Sequence, residues 1–224
     1  MRHYNKTDAI RIVGACAKQY KEQLVDRALL FICLDKHRKV SVFQFTFDAS
    51  NFLHLTGLQL VNRKRFDPGS GAPDPNAISA TDFFRKCLDG KLRDADFDFA
   101  RNGTTPLKLE VLPTLMTQHL SAKMIGDFHS DKPRLETDKL AGGQTACMGF
   151  VKNRGTGPYV PNTVIKEDIR KQTLKPQRVA ACFRKSRRDA RFSEVTYLGK
   201  NIDWNAVQLP AEYAYLKELL TVSV

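Results

Sequence analysis

The chain has 224 residues and 25.4 kDa, enough for one domain with a buried core, or one domain with an appendage, at roughly 100–200 residues per domain. With 42% hydrophobic and 27% charged residues it has the composition of a folded globular protein, which excludes a disordered tail or a fibrous repeat. Its 36 Lys and Arg against 24 Asp and Glu give a net charge of +12, an imbalance that favours a polyanionic partner, nucleic acid first.

At the N-terminus, Thr7 is placed to cap a helix whose apolar residues Ile10, Val13, Cys16, Ala17, Tyr20 and Leu24 recur at three- and four-residue steps, with Asp8 in its first turn. Scattered charges there leave no apolar core of signal-peptide length, and the longest apolar run, Ala28 to Leu34, falls far short of the roughly 20 residues of a membrane span. A cytoplasmic protein without a membrane partner is expected. The runs at 28–34 and 39–47 read as a hairpin around the polar turn Asp35 to Arg38. Alternation changes phase between Val42 and Phe43, which predicts either a bulge or a strand in contact on both faces.

Residues 66–77 hold three prolines and two glycines without a hydrophobic period and read as a flexible loop. Ser79 or Thr81 then caps a short helix carrying Phe83, Phe84, Cys87 and Leu88, closed by Asp89-Gly90. Residues 107–112 alternate like a strand, with a helix following from Pro113; a single helix begun at Thr105-Pro106 and kinked at Pro113 is the competing reading. The second half reads as strands at 122–128, 134–139, 145–153, 178–185 and 192–198, with one helix opened by Asn162 and Thr163 and running past Glu167, Asp168, Arg170 and Lys171. The fold class is α+β: an N-terminal helix and hairpin, then a curved, mainly antiparallel sheet with short helices. Residues 1–200 are expected to form a single α+β domain and 201–224 a helical C-terminal extension.

Cys16, Cys33, Cys87, Cys147 and Cys182 are odd in number and include no CxxC pair, so they read as reduced core residues. No phosphate-binding GxxxxGK[ST], complete GxGxxG, HExxH or zinc-spaced Cys/His set occurs. Asp94, Asp96 and Asp98 stand on one side of an extended segment, but an EF-hand reading fails where Phe99 and Thr105 replace the required glycine and glutamate. Pro73-Asp74 with Asp89-Gly90-Lys91 spells a metal-nuclease pattern in a loop and at a helix end, where paired strands are needed. Gly155-Thr156-Gly157, flanked by Lys152 and Arg154, reads either as a phosphate-binding loop or as a plain turn.

Charge is local, since residues 151–200 hold 13 Lys and Arg against 4 Asp and Glu, +9 of the total +12. Arg184, Lys185, Arg187, Arg188 and Arg191 form its densest part, which reads either as a solvated turn or as a surface tracking phosphates, with Arg178 a further expected nucleic-acid contact. Of the five histidines, His54 stands apart: Phe52, Leu53 and Leu55 can anchor its segment while the imidazole and the Thr56 hydroxyl project. A lone histidine can equally be a core or capping residue. Cleavage of RNA through its 2′-hydroxyl needs a base, cations or N–H donors for the phosphorane, and an acid for the leaving oxygen, with no metal or other cofactor. Histidine, whose ordinary pKa is about 6.5, suits proton transfer, and Lys, Arg, Thr and Tyr suit the rest.

Five segments in order, FLHLTG (52–57), GTTPLKLEVLP (103–113), KMIGDF (123–128), LETDKLAGG (135–143) followed by GF (149–150), and YVPNTVIKEDIR (159–170), resemble a phage- and mobile-element-associated family of the barnase–EndoU–colicin–RelE-like nuclease superfamily. The resemblance spans roughly residues 1–200. It implies a compact α+β fold and metal-independent RNA cleavage by an effector or toxin. The motifs place His54, Thr56, Lys108, Lys123, Tyr159, Thr163 and Arg170 in the catalytic set and Asn162 among nucleic-acid contacts, while Lys185 joins the catalytic set by its position in the basic strand. The partners implied are RNA, including tRNA, and an acidic inhibitor or immunity protein.

Overall fold

The computed structural model describes residues 3–61, 77–130, 135–152 and 157–222. All of the proline-rich segment 66–77 except Ala77 lies outside these residues, as do Pro73-Asp74, Arg154, Gly155 and Thr156. In chain order the helices are α1 (Lys6–Gln23), α2 (Phe52–Thr56), α3 (Ala80–Leu88), α4 (Thr105–Leu115), α5 (Ile169–Gln172) and α6 (Leu216–Val222). The strands are β1 (Arg27–Leu34), β2 (Val40–Thr46), β3 (Leu58–Leu60), β4 (Phe97–Phe99), β5 (Met124–Phe128), β6 (Lys139–Gly142), β7 (Cys147–Lys152), β8 (Tyr159–Ile165), β9 (Thr173–Ser186) and β10 (Glu194–Leu198).

The large sheet runs β1-β2-β8-β7-β6-β5-β9-β10, and β9 also pairs with β1, so seven strands close into a ring with β10 attached to β9. Every pairing in it is antiparallel except β2 with β8, where Phe45 meets Tyr159. β3 and β4 form a separate ribbon. β1 explains the apolar run ALLFIC: Leu29, Phe31 and Cys33 face the main core with α1 to α4, while Ala28, Leu30 and Ile32 face a second core built by β9 and α6. In β2 the register is regular from Thr46 to Val40, so the phase change at Val42/Phe43 marks contact on both faces: Phe43 and Phe45 join the main core, and Val40 and Val42 the second.

The residues that read as helix and strand are rearranged at four places. The cap of α1 is Asn5, whose side chain accepts the Asp8 N–H at 2.8 Å while Asp8 accepts the Asn5 N–H at 3.3 Å; Thr7 already lies inside the first turn. Residues 107–112 are helical, as the competing reading has it: Pro106 sits in the first turn, where its missing N–H costs nothing, and Leu109, Val111, Leu112 and Leu115 form the buried stripe. Asn162 and Thr163 lie in β8 rather than at a helix start, because β8 pairs along β7, with Thr163 opposite Gly149, a partner that nothing local announces. The helix begins at Asp168, which accepts the Arg170 N–H at 2.9 Å, and covers only Ile169–Gln172. Finally, the strand expected at 134–139 starts at Lys139, where pairing with β7 begins. Ser79 caps α3 as expected.

The five cysteines are buried free thiols, and burial pushes Cys16, Cys87, Cys147 and Cys182 up to about 12. Among the described residues no helix is long and apolar enough to cross a membrane. Phe45 is fully buried, with ring centroids 5.5 Å from Phe31 and 4.2 Å from Phe150 across the ring of strands. Phe45→Ala should lower unfolding free energy by about 3–5 kcal/mol, measured by urea denaturation.

Candidate active site

Three motif segments converge on one side chain. In α2, Phe52, Leu53 and Leu55 are buried and His54 is exposed, which is the anchoring pattern the sequence implied. Thr56, expected to project beside the imidazole, is instead buried: its hydroxyl donates to the Leu53 carbonyl at 2.8 Å and accepts the Leu58 N–H at 3.1 Å, so it closes the helix. Gly57 follows at φ +72, and a Cβ there would lie 2.8 Å from Cδ of Lys108. The Thr105 hydroxyl pins this turn by donating to the Gly57 carbonyl at 2.6 Å while accepting the Ala100 N–H at 2.9 Å.

Lys108 reaches from α4 into this junction. Its ammonium donates to the His54 carbonyl at 3.1 Å and to Oγ1 of the buried Thr163 at 2.9 Å. Two of three N–H groups are thereby used, and the third remains for the cleft that Lys108 lines. Burial pushes Lys108 down from 10.5 to about 8. The cleft holds about 440 Å³; His54, Gln59, Asn102, Thr104 and Lys108 provide its polar groups, and Leu53, Leu58 and Leu60 its apolar wall. An acid of that strength in a cleft that the exposed His54 also lines can exchange protons near neutrality and place positive charge on an anion.

The other expected site residues lie elsewhere. Asn162, beside Thr163, donates to the Glu136 carbonyl at 2.5 Å and holds the approach to β6. Tyr159 packs on Phe45 with Lys152 Nζ 5.8 Å from its ring, and burial raises its hydroxyl. Lys123 lies where β5 and β10 meet end to end along β9, with its ammonium 4.3 Å from the Tyr197 ring. His119 stacks on the same ring at 5.2 Å, and burial, then Lys123, lowers its pKa. That His–Lys–Tyr grouping had no sequence signal beyond Lys123, because its members meet only through the tertiary fold.

Arg170 pairs with Asp168 at 2.6 Å. Lys185 donates to the carbonyls of Asp189 and Ala190 at 2.8 and 3.2 Å and lines a different groove from His54. Arg184 makes a bidentate pair with Glu194, Arg187 pairs with Asp48, and Arg178 donates to the Lys200 carbonyl at 2.7 Å. Arg188 and Arg191 are exposed. The aspartates 94, 96 and 98 do not form a metal centre: Asp96 binds Lys86 at 2.9 Å and Asp98 binds Lys6 at 2.7 Å. Among the described residues no group of three His, Cys, Asp or Glu side chains could hold a metal ion.

The family model described as phage-Barnase-EndoU-ColicinE5/D-RelE like nuclease4 matches residues 12–200. The chain belongs to this family. No curated protein and no solved structure matches it. Membership supports a nuclease function with nucleic acid as substrate, and the matched range includes His54, Lys108 and Thr163.

The buried ammonium makes this junction sensitive to pH. Between pH 8 and 10.5 the unfolded chain keeps the Lys108 proton that the folded chain releases, so this residue makes stability rise with pH over that window. Lys108→Met should remove that rise relative to the parent protein, read as urea midpoints from pH 7 to 10.5. Gly57→Ala should cost about 1–3 kcal/mol, because alanine is strained at this φ and its Cβ meets the lysine stem.

Proposed function

We propose that the chain is a metal-independent endoribonuclease, acting as a phage or mobile-element effector or toxin in the cytoplasm, with its active site in the His54–Lys108 cleft. The carrying observation is the Lys108 ammonium, held by the His54 carbonyl and Thr163 and lowered to about 8 at the edge of a cleft that His54 also lines. Family membership supports the nuclease part of this reading, and the basic composition supports a nucleic-acid substrate.

In this mechanism His54 removes the 2′-hydroxyl proton, O2′ attacks phosphorus, and the P–O5′ bond breaks to leave a 2′,3′-cyclic phosphate. Lys108 donates a hydrogen bond to a non-bridging oxygen as charge builds on the phosphorane. It then passes a proton to the departing O5′; solvent takes the proton from His54 and returns one to Lys108. Thr163 is a positioning residue, since it touches the ammonium and not the cleft. The amides of Gln59 and Asn102 and the leucine wall offer a seat for a base. RNA, including tRNA, is the substrate class. An acidic inhibitor or immunity protein is the matching partner, because a toxin of charge +12 must be kept from its host's own RNA.

Purified protein incubated with total RNA and with tRNA in excess chelator should yield discrete products bearing 2′,3′-cyclic phosphate ends. His54→Ala should abolish them while retaining most RNA binding. Equal cleavage by the variant would remove His54 from the mechanism, activity only after a divalent metal is restored would overturn metal independence, and salt-sensitive binding without products would identify a binding module. Because Lys108 works protonated, kcat should fall as pH rises through about 8.

A further inference from the structure

The matched range stops at residue 200, yet the segment beyond it is built into the protein. Leu216 and Leu220 are buried against Ala28, Leu30, Ile32 and Phe183, and the Tyr215 hydroxyl accepts the Phe192 N–H at 3.0 Å. This docking sets Tyr213 and Tyr215 beside the basic turn that ends β9, and a groove of about 520 Å³ opens between them. Its cations are Lys185 and Arg191. The two carbonyls that hold Lys185 leave one of its three N–H groups unassigned, and its ammonium lies 5.0 Å from the Phe192 ring. The Arg191 guanidinium lies 5.3 Å from the Tyr215 ring, and a cation on a ring face keeps in-plane N–H groups for an anion. Tyr213 is half-buried, and burial, then Glu212, keeps its hydroxyl neutral. Gln44 adds an amide to the lining, and Glu212 is the one acid in it.

We propose that this groove is an accessory site for single-stranded nucleic acid, seating a phosphate between Lys185 and Arg191 and a base on Tyr213. Cations alternating with aromatic rings fit an unpaired strand, whose bases are open for stacking; a duplex hides those faces. An acidic peptide would meet the same Glu212 carboxylate but has no base to stack on Tyr213, so the aromatic lining favours nucleic acid. The groove serves as a substrate-holding site if the chain is the nuclease proposed above, and in that sense it rests on that reading. It lies apart from the cleft, on surfaces lined by different residues.

The test is fluorescence anisotropy with the full chain and a fluorescein-labelled 2′-O-methyl oligouridine of about 12 nucleotides, which has no free 2′-hydroxyl to attack its own phosphates. Tyr213→Ala should weaken binding about 5–10-fold and Tyr213→Phe should restore it. Arg191→Glu should weaken it more than 10-fold and flatten the dependence of affinity on salt, which separates the proposal from any misfolding of the tyrosine variant. Wild-type affinity in both Tyr213→Ala and Arg191→Glu would overturn the site, as would polyglutamate competing as well as polyuridine. Cleavage is not read here, so the two readings fail separately. A protein that binds through Tyr213 but cuts no RNA keeps the groove and loses the nuclease reading; one that cuts RNA but binds independently of Tyr213 and Arg191 does the reverse.

Discussion

β1 is the constraint from which the rest of the molecule hangs. It is hydrogen-bonded on both edges, to β2 and to β9, and buried on both faces, with six consecutive residues from Ala28 to Cys33 out of solvent. The β1–β9 pairing closes the ring of strands, so there is no free edge at this strand to cover. A bulge keeps both cores supplied: the register shifts between Ile32 and Cys33, and Ala180 and Ala181 then both face the second core. One face of β1 carries the helices that build the cleft, and the other carries the C-terminal segment that builds the groove.

Within that frame, charge is placed with economy. Much of the basic segment is neutralised by local partners: Arg184 by Glu194, Arg187 by Asp48, Arg170 by Asp168 and Lys171 by Glu167. Such pairs contribute little to stability; Glu194, Asp168 and Glu167 are already counted in the segment's +9, and Asp48 brings one further carboxylate from outside it. Lys108 is handled differently. It is drawn toward the interior, where two neutral oxygens, the His54 carbonyl and Thr163 Oγ1, accept its hydrogen bonds. Burial without a counter-charge lowers its proton affinity, and that turns an ordinary lysine into a group able to exchange protons near neutrality. The glycine beside it matters for the same reason, because a side chain at position 57 would occupy the space of the lysine stem.

How much could be read in advance depended on whether the decisive interaction was local. α1, the β1–β2 hairpin and the Ser79 cap were legible because periodicity, turn chemistry and capping act within a few residues. LKLEVL was ambiguous because a short apolar alternation suits a strand and also the stripe of a helix; Pro106 in the first turn tips it to helix. Asn162-Thr163 carried a capping signature, but the pairing of β8 with β7 outweighed it. The site was legible in part. The motifs supplied His54, Lys108 and Thr163, which the fold gathers, and also Thr56 and Asn162, whose side chains hold backbone. They supplied Tyr159, Arg170 and Lys123, which lie apart from the cleft, while His119 and Tyr197 met through tertiary packing that no local pattern announced.

The most direct test of the central claim is a crystal structure of the protein with a 2′-O-methyl dinucleotide. The account predicts the phosphate in the α2–α4 cleft, within hydrogen-bond reach of Lys108 Nζ and the His54 imidazole. A phosphate seated instead at His119, Lys123 and Tyr197, with the cleft bearing no nucleotide, would contradict it and move the reaction to the junction of β5 and β10.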